Sequence, residues 1–220
     1  MNDAEVIDDL RLALDWYMSV VPPPPDRPYG PPLDRSAIAS GLAAIDVALR
    51  PMVLPAEVRW MWETWDAGSF DIIPMARMTL PDFALDSWQE GVIEYGDDPW
   101  ALFPIGYQSH SFLLVELGTP TPAPLWTSFF GFPDFSCVFP SLAAMFRSCA
   151  EITEAAGAAS STGHRYDELA SLWDGWPSPP SFARIVDRHF AASQTSERRD
   201  VPWQVPEAWP MTWRRPLDAG

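Results

Sequence analysis

The chain has 220 residues, 47% of them apolar and 20% charged, with fourteen basic residues against thirty acidic ones for a formal charge of −16. Such a composition describes one globular domain with extensions and excludes a disordered chain. The negative field repels phosphate backbones, which argues against nucleic acid as a ligand, and no run approaches the roughly 20 apolar residues that a membrane span needs.

The first segment predicts an amphipathic helix. Val6, Leu10, Ala13, Leu14, Tyr17 and Met18 recur at helical spacing, with Asn2 or Asp3 available as the cap. The helix should stop at Val20-Val21, because Pro22 to Pro25 supply no backbone donors. Seven prolines between 22 and 32 predict a stiff polyproline-II spacer. A second helix is expected from Asp34 to Leu49, with Ile38, Leu42, Ile45 and Leu49 on one face. Pro55 is placed to open a third, carrying Val58, Met61, Trp62 and Trp65 and closing at Asp66-Ala67-Gly68. Phe70 to Ile73 suits a short strand, and Leu80 to Ile93 a helix around Phe83, Leu85 and Trp88.

The period then changes. Ala101–Gly106, Ser111–Leu117 and Leu125–Phe130 are short runs rich in β-branched and aromatic residues, separated by turn signals. Three successive strands with short loops imply an antiparallel meander. A helix follows with Leu142, Met145, Phe146 and Cys149 on its stripe, ending near Gly157. The expected class is α+β, an antiparallel β-meander packed against helices. Its organisation is an N-terminal helix with the Pro-rich spacer (1–33), the α+β domain (34–157) and a C-terminal helical, Pro- and Trp-rich extension packed on that domain (158–220). In the extension, Tyr166, Leu169, Ala170 and Trp173 mark one short helix and Phe182, Ile185, Val186 and Phe190 another. Trp203, Trp209 and Trp213 lie beyond, in a tail that needs burial against the domain.

The catalytic inventory is thin. There is no nucleophile elbow, phosphate-binding glycine loop, dinucleotide fingerprint or His-Glu-x-x-His pair, and the three histidines, His110, His164 and His189, stand far apart. Cys137 and Cys149 are not spaced as a zinc pair and suit buried thiols. Asp8-Asp9 and Asp97-Asp98 with Glu94 are paired carboxylates, though Asp97-Asp98-Pro99 reads more simply as a turn. The expectation is therefore no catalytic residue, no metal and no cofactor. Two other readings stay open: a hydrolase or metal enzyme using His110 with nearby carboxylates, and a scaffold recruiting partners through the Pro-rich spacer.

Acid is concentrated between Ala56 and Leu102, where ten acidic residues face two basic ones, half the net charge of the chain. Trp60, Trp62, Trp65, Trp88, Tyr95 and Trp100 share that stretch. Aromatic anchors ringed by carboxylates suit a binder of a cationic protein surface, with Trp62, Asp66, Asp71, Trp88, Glu94 and Asp98 as candidate contacts. The alternative is a solvated face over an aromatic core.

The order of elements resembles the SUKH superfamily. The residues that carry the likeness are Leu54-Pro55-Ala56-Glu57 opening a helix that closes at Asp66-Ala67-Gly68, the segment Ile73 to Trp88, the strand Phe103-Pro104-Ile105-Gly106, the strand Phe112 to Val115, and Phe139-Pro140-Ser141-Leu142 introducing a final helix. The likeness runs from about Ser36 to Glu151. It implies a non-catalytic α+β domain and, for a bacterial member, an immunity protein that neutralises a cognate toxin of a polymorphic toxin system. A nuclease toxin with a basic cleft would suit the acidic balance. The expected partner is then a basic protein, not nucleic acid and not a membrane, met by a monomer or weak dimer. The acidic start, Met1-Asn2-Asp3-Ala4-Glu5, lacks the features of a secretory signal and suits a cytoplasmic location.

Overall fold

Asn2 opens the first helix with a capping box: its side chain accepts from the Glu5 amide at 3.0 Å while the Glu5 carboxylate accepts from the Asn2 amide at 2.8 Å. In the computed structural model, which describes residues 2–21, 23, 29–32, 34–65, 71–72, 76–95, 102–108, 111–118, 122–129 and 135–159, this helix is α1 (Asp3–Val20). There follow α2 (Arg35–Ala48), α3 (Ala56–Thr64), β1 (Asp71–Ile72), β2 (Ala76–Met78) and α4 (Pro81–Tyr95). The chain continues through β3 (Leu102–Gln108), β4 (Ser111–Glu116), β5 (Leu125–Phe129), β6 (Phe135–Phe139) and α5 (Leu142–Ala159). Each strand pairs antiparallel with the next, so the sheet runs β1 to β6 in chain order as a meander. The class is α+β.

Helix α1 belongs to the same core as the rest. Leu10, Ala13, Leu14 and Tyr17 share one buried cluster with α3, α4, α5 and the sheet, so this helix is no appendage outside the domain. Against α5 it sets Tyr17 edge-on to Phe146, ring centroids 5.3 Å apart. Arg147 on α5 grips Asp9 with both terminal guanidinium nitrogens, one of them at 3.0 Å, and Trp16 donates to Glu154 at 3.0 Å. Burying each large apolar side chain contributes about 1.5–3 kcal/mol, whereas a half-exposed ion pair gives about 1 kcal/mol or less. Apolar burial holds the two helices together, and the polar pairs fix their register.

Four departures from the sequence reading have physical causes. The Tyr29 hydroxyl donates to the Val21 carbonyl at 3.2 Å. A straight polyproline-II rod would separate positions 21 and 29 by roughly 25 Å, which this hydrogen bond does not permit; residues 22 and 24–28 between them lie outside the described residues. Pro55 is the N-cap of α3 and not its first residue, and α3 closes at Thr64 because Trp65 is already extended (φ −123, ψ 142). Gly68 lies outside the described residues. Strands β2 and β6 were not expected: β2 spans only three residues, too few to show alternation, and β6 falls in a stretch where turn signals dominate. The short helices and Trp-rich tail expected beyond 158 also lie outside the described residues.

The central strands carry the core. Leu102, Phe103 and Ile105 on β3 and Leu113, Leu114 and Val115 on β4 are all buried, as strands covered on both faces require. Pro104 is tolerated inside β3 because β2 pairs only with Gly106 and Tyr107, so no ladder bond is asked of the missing N–H on that side. The β3–β4 register shifts between Pro104 and Gly106, and the Ile105 carbonyl there accepts from the Thr79 amide at 3.0 Å.

Candidate functional site

The six residues expected to contact a partner divide sharply. Trp62 is 0% exposed and Trp88 is 7% exposed, and both pack edge-on or tilted against Phe103, at 6.5 and 6.0 Å between ring centroids. Both belong to the core; as surface anchors they are corrected. Burial on this scale demands a partner for the indole N–H, and Trp62 donates to the Thr79 carbonyl at 2.8 Å. Asp71 lies on β1 and Glu94 on the last turn of α4, with side chains outside the described set. Asp66 and Asp98 lie outside the described residues altogether, as do His110, His164 and His189.

Among the described residues, a different face carries the exposed aromatics. On α4 the buried positions are Pro81, Ala84, Leu85 and Trp88, the i, i+3, i+4, i+7 stripe of a helix against a core. Phe83 is out of phase with that stripe and is 49% exposed. Its ring meets that of Tyr107 at the end of β3, 5.6 Å between centroids with the planes tilted by 38°, and Tyr107 is itself 36% exposed. Leu80, three residues before Phe83, is 39% exposed. Asp82, Asp86 and Glu90 are all exposed, and their i, i+4, i+8 spacing forms one row, with Asp86 and Glu90 also i+3 and i+7 from Phe83. Helix α4 contains four acidic residues and no basic one. Across the β2–β3 ladder, Arg77 stands opposite Tyr107 and is engaged in an interaction within the chain.

The face is rigidly placed. The amide of Phe83 donates to the Asp82 carboxylate at 2.9 Å, and the Ala84 amide donates to the Leu80 carbonyl at 2.9 Å, fixing the first turn of α4. Helix α2 approaches so closely that a Cβ on Gly41 would lie 2.8 Å from the Pro81 Cβ. Thr79, just upstream, is held from two sides, by the indole of Trp62 and the carbonyl of Ile105. Sequence reasoning missed Phe83, Tyr107 and Leu80 because it placed Phe83 on the apolar stripe. The available signal was phase, since Phe83 cannot share a helix face with Ala84, Leu85 and Trp88.

Elsewhere, Glu57 on α3 is buried. Its Oε1 accepts from the Ala123 amide at 2.7 Å, tying α3 to the β4–β5 connection, while Oε2 has no hydrogen-bond partner. Desolvation by burial, reinforced by the negative charge of Asp3, outweighs the stabilising amide bonds and pushes this carboxyl above its ordinary value. Cys149 is buried, and desolvation raises its thiol well above the range in which a thiolate forms. Among the described residues no group of three or more His, Cys, Asp or Glu could hold a metal ion, and no helix is long and apolar enough to cross a membrane.

No family model, no curated protein and no solved structure matches this chain.

Proposed function

We propose that the protein is a cytoplasmic, non-catalytic binding protein that neutralises a basic protein partner, in the manner the SUKH resemblance implies: an immunity protein acting on a cognate toxin. A nuclease is the toxin class this reading favours, since a cleft built for a polyanion accepts a carboxylate-covered surface in its place. The observation that carries the reading is the row of exposed carboxylates on α4, a helix with no basic residue of its own, in a chain whose formal charge is −16. Individual surface ion pairs are worth little. A one-signed field instead accelerates encounter with an oppositely charged partner, and exposed aromatics supply the anchoring that charge does not.

The test is capture by the full chain from its native host at low ionic strength, followed by co-expression. Support requires a basic protein that salt releases, whose expression kills cells and whose killing this chain relieves. Recovery of no basic protein, or of one whose toxicity the chain leaves untouched, overturns the reading.

A further inference from the structure

We infer that the face formed by Phe83, Tyr107, Asp82, Asp86 and Glu90 is the docking surface, and that its occupant is an arginine-rich segment of the partner; this rests on the basic-partner reading above. Single exposed apolar residues on a surface need no explanation. Here two aromatic rings are in contact with each other in the open, and a row of carboxylates on the same helix borders them. An apolar partner surface would meet the rings but leave that row unpaired. A cationic one satisfies both.

Arginine fits this combination better than lysine. The guanidinium is planar and weakly hydrated, stacks on aromatic faces, and offers a paired hydrogen-bonding edge to a carboxylate. An ammonium is a compact, strongly hydrated point charge that answers the carboxylates and gains less from the rings. With Asp86 and Glu90 one and two turns along from Phe83 on the same side of α4, a guanidinium over the ring has a carboxylate within reach. The face is also preorganised: Gly41 against Pro81, and Thr79 held by Trp62 and Ile105, fix the start of the helix before any partner arrives. Little ordering is then left to oppose binding.

The probes are fluorescently labelled nona-arginine and nona-lysine peptides, titrated by anisotropy against the full chain at low salt. The arginine peptide should bind about fivefold tighter than the lysine peptide. Phe83→Leu, which keeps apolar bulk and removes the ring, and Tyr107→Ala should each erase most of that preference. Asp86→Asn combined with Glu90→Gln should weaken both peptides. All four side chains are exposed, so unchanged thermal unfolding of each variant shows that the fold is intact. Equal affinity for the two peptides, or variants that bind the arginine peptide as tightly as the parent, overturns this docking surface and leaves the basic-partner reading standing. Failure of the parent chain to bind either peptide overturns both.

Discussion

A carboxyl group shut away from water takes up its proton early as the pH falls, and Glu57 is such a group. Because its folded-state pKa is raised, the stability it contributes is complete below the ordinary carboxylate value and is lost as the pH rises through the folded one. Glu57→Gln keeps an acceptor for the Ala123 amide and removes the buried charge. It should raise the urea midpoint relative to the parent at pH 7, with the difference shrinking toward pH 4. Glu57→Ala instead strands the Ala123 amide and should cost about 1–3 kcal/mol. Trp62 makes a second prediction at this scale. Trp62→Phe keeps an aromatic ring but leaves the Thr79 carbonyl without its donor, at a cost of about 1–3 kcal/mol in urea unfolding.

At the scale of the elements, the joint between α2 and α4 has no room for a side chain at Gly41. Gly41→Ala adds a Cβ 2.8 Å from Pro81 and 3.3 Å from the Asp82 amide, neither of which is the far end of a flexible side chain. Overpacking of this kind costs about 1–3 kcal/mol, set against the roughly 1 kcal/mol by which alanine outperforms glycine inside a helix. The variant should therefore show a lower thermal midpoint, and because the shift falls on the first turn of α4 it should also weaken the arginine peptide. Helices announced themselves well in the sequence: the Asn2 cap and the end of α1 at Val20 follow from local chemistry, and α2 begins at Arg35, one residue after the expected start at Asp34, which is its N-cap. Strands β3, β4 and β5 were legible from their turn-bounded apolar runs. Strand β2 was not, because its place is set by pairing with Gly106 and Tyr107 and not by any pattern of its own. The end of α3 was missed because a glycine suited to closing a helix says nothing of a backbone that has already straightened at Trp65.

For the molecule as a whole, the proposed docking of a basic partner divides the work: charge would set how fast it arrives and the rings how long it stays. Association of the arginine peptide should slow roughly tenfold as salt rises from about 0.05 M to 0.5 M, with its dissociation changing far less. Phe83→Leu should do the reverse, hastening dissociation at every salt concentration, as stopped-flow measurements would resolve. The acid bias behind this was countable in the sequence. Which aromatics face water was legible only in part: the phase of Phe83 sets it off the stripe that holds Trp88, but nothing local to Trp62 tells an anchor from a core residue until packing buries it. The contact between Gly41 and Pro81 reaches beyond this one chain. In any lineage sharing this architecture, a side chain could be gained at position 41 only if the two rods drew apart, because the obstructing atoms are a Cβ and main chain that an exchange at 81 for anything but glycine would keep. Such a gain would then be accompanied by compensating changes along the whole seam, leaving a correlated signature in divergent descendants.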